Sequence, residues 1–195
     1  MAYNSTSWTT DANTKAGSTG TNTVGGVTLY KEFGLFDFSP TAGTHNPMVS
    51  MTSLVSTSGA TYASSFGGSS SSPATTVDAD DDAENPPNII ASMWYIEDNI
   101  YIDSVRAFAA AEGSQSIKFH ILEYNLDTTT NLGDLSGGNQ CADGTISATS
   151  GTVKTASLTV GSPDINAGKL IIAYAEAETG TSDITCKLLV KYHLS

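Results

Sequence analysis

The densest group of chemistry-bearing residues is the run VDADDDAENPPN, Val77 to Asn88. It places Asp78, Asp80, Asp81, Asp82 and Glu84 ahead of Pro86 and Pro87. Closely spaced carboxylates suit a hard cation such as calcium. An EF-hand loop reads DxDxDG and ends on a Glu at its twelfth position. This run begins DxD but lacks the Gly of the sharp turn, and Ile89 stands where the Glu should be. The reading is a solvated, self-repelling loop without a specific divalent site; the alternative is a calcium ion held irregularly. Pro86 and Pro87 keep the chain extended as it leads into Ile89.

The histidines are His45, His120 and His193. His45 follows TAGT in a loop, and His120 and His193 fall on the polar faces of strands. A metal triad needs converging side chains, and nothing in the spacing forces convergence. If their strands paired, His120 and His193 would make half a site. Three surface histidines are therefore expected, with no metal and no cofactor. The cysteines, Cys141 and Cys186, show no CxxC or Cys/His spacing for zinc. Cys186 shares a strand face with Leu188 and Val190 and reads as a small buried hydrophobe. Cys141 reads as part of a loop, GGNQCADG. A disulfide between them is the minority alternative, since synthesis in the cytosol opposes it.

No catalytic residue can be nominated. The GxSxG of α/β hydrolases and the phosphate-binding GxxxxGK[ST] are both absent. Paired carboxylates for glycoside hydrolysis could be drawn from Glu97, Asp98, Asp103, Glu112 and Glu123, but a raised pKa depends on burial. Trp94 lies in an apolar run and is expected in the core, and Trp8 is far from it.

The composition says more about what must position such groups. Charged residues make up 14% of the 195, and hydrophobic ones 39%. The remaining surface comes from Ser, Thr, Asn and Gly, which favours strands and turns over exposed helices. Twenty acids against eight bases leave a net charge of -12. The bases are scattered, and Arg106 is the only arginine. Nucleic-acid binding and attachment to an anionic membrane are therefore excluded as expectations. No apolar run reaches the roughly 20 residues of a membrane span. The first residues, MAYNSTSWTT, carry neither the basic nor the apolar region of a secretory signal.

Residues 1–26 are nearly all small and polar and cannot offset their own ordering entropy. They form an arm whose Tyr3 and Trp8 are the candidate partner-binding residues. A domain over 27–195 follows. VTLYKEFGLFDF has Val27, Leu29, Phe33 and Phe38 with a bulge at Gly34, and PMVSMTSLV sets Val49, Met51 and Val55 on one face. ATYASSF is a weak strand. NIIASMWYIE and NIYIDSVRAFA read as a hairpin turning near Asp98. SQSIKFHILEY alternates Ile117, Phe119 and Ile121 with Lys118 and His120. NLDTTTNLGDLSGGNQCADGTISATSG reads as a loop. TVKTASLTV, KLIIAYAEAE and a closing strand follow. In the last, Ile184, Cys186, Leu188, Val190, Tyr192 and Leu194 face one way and should bury Ile184, Leu188, Val190 and Tyr192. About nine strands and no capped helix predict a sandwich or closed barrel.

Three segments carry a resemblance: NIYIDSVRAFAAAEGSQSIKFHILEYN, SLTVGSPDINAGKLIIAYAEAE and ITCKLLVKYHL. Over about residues 89–195 the chain resembles the jelly-roll domains of tailed-bacteriophage virion proteins: fibre heads, receptor-binding tips and capsid knobs. The resemblance implies an all-β, jelly-roll-type antiparallel β-sandwich. It also implies a non-enzymatic role on a virion surface, on capsid or tail. Expected partners are other virion proteins, further copies of this chain and a host-surface glycan. A carbohydrate-binding module is the rival class.

Overall fold

The computed structural model describes residues 28–51, 68–69, 72–77, 88–129, 134–178 and 182–195. The arm with Tyr3 and Trp8, the segment ATYASSF, Val27, Val55 and the acidic run 78–84 lie outside the described residues. The strands are β1 Leu29–Phe38, β2 His45–Pro47, β3 Val49–Met51, β4 Gly68–Ser69, β5 Ser72–Pro73, β6 Trp94–Tyr95, β7 Ile100–Ala111, β8 Gln115–Leu126, β9 Leu135–Ala148, β10 Lys154–Val160, β11 Asp164–Ile165, β12 Lys169–Ala177 and β13 Ile184–Leu194. One 3-10 turn, Asn88–Ser92, is the sole helical element among the described residues.

Antiparallel pairing runs β2-β12-β8-β9-β10-β7-β13-β1-β3, with β6 added to β12 and β11 to β7; β4 and β5 pair separately. Strand β10 passes from one layer to the other. Its Lys154–Leu158 pair with Ala109–Val105 of β7, and its Thr159 and Val160 with Asp143 and Ala142 of β9. The layers are thus β1-β13-β7-β10, the front sheet, and β2-β12-β8-β9, the back sheet. Numbered along the chain, these principal strands lie as first, eighth, third and sixth in front, and second, seventh, fourth and fifth behind. This is the strand order of a jelly roll built from two Greek keys. The fold is an all-β antiparallel sandwich.

Between the layers sits an apolar core. Phe33, Ile102, Val105, Ala107, Leu188 and Val190 of the front sheet meet Ile117, Phe119, Ile121, Ile171, Ala173 and Ala175 of the back sheet. The alternation of β13 places Ile184, Cys186, Leu188 and Val190 in this core. Tyr192 is only half-buried, because it lies near the strand's end, edge-on to Trp94 at 4.9 Å. Trp94, expected in the core, is half-buried and packs against it beside Phe33.

Part of the outer face of the back sheet is buried as well. Val77, Leu122, Tyr124, Leu135, Leu170, Ile172 and Tyr174 form a second apolar cluster. The segment ending at Val77 crosses this face. Val77 exchanges backbone hydrogen bonds with Leu135, and the Gly138 N–H donates to the Thr75 carbonyl at 2.8 Å. Only glycine allows that approach, since a Cβ at position 138 would lie 2.8 Å from Thr75 Cα. The Tyr124 hydroxyl donates to the Ala74 carbonyl at 2.8 Å, so at 2.9 Å Tyr174 must be the donor to Tyr124. The two tyrosines are therefore not equivalent. Tyr124→Phe strands a buried hydroxyl and a carbonyl and is expected to cost about 1–3 kcal/mol. Tyr174→Phe leaves the Ala74 bond intact and should cost about 1 kcal/mol or less. Urea unfolding of the two variants measures the difference.

Four readings of the sequence are corrected. The bulge in β1 lies between Leu35 and Phe38, and Gly34 pairs regularly with Lys187 and Val49. Met48, not Val49, is the core residue after β2, and Val49 is half-buried. The supposed hairpin at Asp98 does not form: β6 pairs with β12 in the back sheet, while β7 pairs with β13 and β10 in front. Asn88–Ser92, within its proposed first strand, is the 3-10 turn. The stretch NLDTTTNLGDLSGGNQCADGTISATSG, which reads as a loop, contains β9, fourteen residues long. Its Gly, Asn and Asp content hides the strand, and pairing with β8 overrides local preference.

That strand carries Cys141 into the core, so the loop placement of this residue is also corrected. Cys141 and Cys186 are both free and buried. Burial pushes each thiol up to about 12. Because the thiolate is the reactive form, neither should react with a disulfide reagent at pH 8 in the native protein. Both should react after denaturation.

Candidate functional site

Strand β2 is short and lies at the edge of the back sheet. Backbone bonds beyond its ends hold it to β12: Gly43 N–H to the Ala177 carbonyl at 2.9 Å, and Met48 N–H to the Ala173 carbonyl at 2.8 Å. This register sets His45 directly across from Glu176, and β8 sets His120 across from Tyr174. Opposed residues share a face. His45, His120 and Glu176 thus meet on the outer face of the back sheet, beside Tyr174. Their relative exposures are 3%, 4% and 1%.

The potential ligand atoms all lie within 4.8 Å of one another. His45 Nε2 is 3.2 Å from Glu176 Oε2, yet the two are not aligned as a hydrogen bond. The His45 and His120 rings meet edge-on, with centroids 5.1 Å apart. His120 Nδ1 lies 3.0 Å from the Gln140 amide oxygen. His45 Nε2, His120 Nε2 and Glu176 Oε2 are buried and lack any hydrogen bond. Lys118 Nζ stands 3.8 Å from Glu176 Oε2 and 2.6 Å from Glu178 Oε1, nearer the surface.

Burial, then the neighbouring His120 and Lys118, push the His45 imidazole down to about 4. Burial also pushes His120 down, against the opposing influence of Gln140, Asp143 and Glu176. Two imidazoles neutral at neutral pH and one carboxylate form an N, N, O donor set of the kind that holds first-row divalent ions.

Two of the three supposed surface histidines are therefore buried and convergent. The outer face of β8, which would be solvated in an isolated sheet, is covered here from His120 to Tyr124. His193 stays apart: β13 pairs with β7 and not with β8. Its Nδ1 lies 3.0 Å from Asp103 Oδ1, and its ring is 5.2 Å from that of Tyr101. Of the sequence's carboxylate candidates, Glu97, Asp98, Asp103 and Glu112 are exposed, and half-buried Glu123 accepts a bond from Asn139 at 2.9 Å. Glu176 was missed. Its signal is a lone carboxylate late in KLIIAYAEA, a strand otherwise apolar on both faces after its first residue.

The front sheet's outer face is different in kind. Following the register, Tyr30 and Glu32 of β1, Lys187, Leu189 and Lys191 of β13, Arg106 and Phe108 of β7, and Thr155 and Ser157 of β10 share it. Tyr30 is 59% exposed, and Arg106, Thr155 and Ser157 are exposed.

No protein-family model matches the chain, and no curated protein matches it. Among solved structures, it is similar to an aminopeptidase from the marine sediment archaeon Thaumarchaeota archaeon, at 11% identity and a TM-score of 0.39. The match covers 87% of this chain but 34% of that one. So slight a likeness carries no inference. Among the described residues, no helix is long and apolar enough to cross a membrane.

Proposed function

We propose that the chain is a non-enzymatic structural protein of a bacteriophage virion, displayed on the capsid or tail surface. The observation that supports this reading is the jelly-roll strand order, an architecture that recurs in viral capsid and lectin domains. The -12 charge suits display at high local density, because like charge limits self-association. Residues 1–26 serve as the attachment arm, with Tyr3 and Trp8 as anchors on a virion partner or a sister subunit. Aromatic side chains are common anchors when a polar segment orders on binding. Mass spectrometry of purified virions should find the protein at stoichiometric copy number, and its absence would overturn the assignment. Deleting residues 2–25 should leave a folded domain that no longer joins the particle; normal incorporation would move the attachment surface to the sandwich.

A second reading is favoured by the front sheet's outer face. Exposed Tyr30, with Arg106 and Lys191 on the same face, combines a stacking surface with cations, while Lys187 there is paired with Glu32 at 2.6 Å. Such a face suits an acidic glycan. A glycan array probes this, with binding expected to fall for Tyr30→Ala.

A further inference from the structure

We propose that His45, His120 and Glu176 bind one divalent ion of the zinc class through Nε2, Nε2 and Oε2. Buried polar atoms normally have hydrogen-bond partners. Here three from neighbouring strands lack one, and their residues bring ligand atoms within 4.8 Å of one another. A metal ion satisfies all three at once.

The tautomers support the assignment. A glutamine amide oxygen only accepts, so the Gln140 contact at 3.0 Å places the His120 proton on Nδ1. Nε2 is left with its lone pair, buried and without a hydrogen-bond partner. Metal-bound imidazoles are oriented in this way by an acceptor on the far nitrogen. His45 and Glu176 already stand 3.2 Å apart, close to the roughly 3.3 Å between ligands of a tetrahedral site with bonds of about 2.0–2.1 Å. No pair exceeds 4.8 Å, so modest side-chain rotation closes the set. Three protein ligands leave a fourth position for water or another donor.

Lys118 is the competing cation. Its ammonium approaches Glu176 at 3.8 Å, but it is drawn outward by Glu178 at 2.6 Å. When bound, the ion replaces Lys118 as the main counter-charge of Glu176 and cross-links β2, β12 and β8. That cross-link pins a short edge strand whose backbone ladder is otherwise brief.

The test uses the folded chain of residues 1–195, stripped with chelator and titrated with zinc chloride. Calorimetry should give one ion per chain. Because the chain has only three histidines, its imidazole nitrogen resonances can be followed individually. Zinc should move those of His45 and His120 and leave His193 unchanged. Gln140 is exposed, so Gln140→Ala should fold normally and lower zinc affinity about 10–100-fold. His120→Ala should abolish this binding. Failure of the wild type to take up zinc would overturn the proposal. So would uptake that leaves both His45 and His120 resonances in place, the result expected if carboxylates elsewhere hold the ion.

Discussion

Replacing Phe119 by alanine should destabilise the protein by about 3–5 kcal/mol. Phe119 is completely buried, in the middle of β8, with its ring in the core between the two sheets. Alanine there loses the transfer energy of the ring and leaves a cavity that two hydrogen-bonded sheets cannot close. Domains of this kind are commonly stable by only about 5–15 kcal/mol, so the variant should sit near the limit of folding at 37 °C. Phe36→Ala supplies the contrast. Phe36 is 49% exposed, at the β1 bulge, and its removal should change stability by about 0.5 kcal/mol or less. Chemical denaturation of both variants measures the gap. Similar losses would mean that the core does not lie between these sheets.

The second large effect is a loss of stability in mild acid. His45 has its folded pKa lowered from 6.5 to about 4, chiefly by burial. In the unfolded chain the imidazole takes up a proton as pH falls below 6.5; in the fold it resists until near 4. The unfolded state therefore binds more protons across that window. Stability from this residue is full above pH 6.5, declines as pH falls, and is fully lost below about 4. The loss is about 2 kcal/mol by pH 5. His120 shifts in the same direction and adds to it. Glu178, whose pKa is lowered by its bond to Lys118, acts only below its ordinary value of 4.5 and so lies beneath this window. Urea unfolding of chelator-treated protein at pH 7.5 and 5 should reveal the decline. His45→Gln, which does not titrate, should flatten it. An unchanged slope would show that His45 does not control acid sensitivity.

Some of this architecture can be read directly from residue order. The period-two pattern from Ile184 to Leu194 defines a strand and its buried face, because side chains alternate across a pleated chain. The same rule identifies the inner face of β8 through Ile117, Phe119 and Ile121. Low charge and abundant Ser, Thr and Gly predict an all-β chain, since such residues make poor helices and good turns. Alternation does not specify which strands become neighbours. NIIASMWYIE and the following strand are adjacent in sequence, yet β6 and β7 enter opposite sheets, a choice made by pairing energy summed over the whole sandwich. Nor does alternation reveal whether the second face of a strand meets water. On β8, Lys118 and His120 occupy equivalent polar-face positions, but only Lys118 remains partly exposed. His120 is buried beside β12 and β2, whose residues lie about 55 and 75 positions away in the chain. The convergence of His45, His120 and Glu176 is therefore a product of tertiary structure: residue types set what each group can bind, and sheet register alone brings the three within reach of one another.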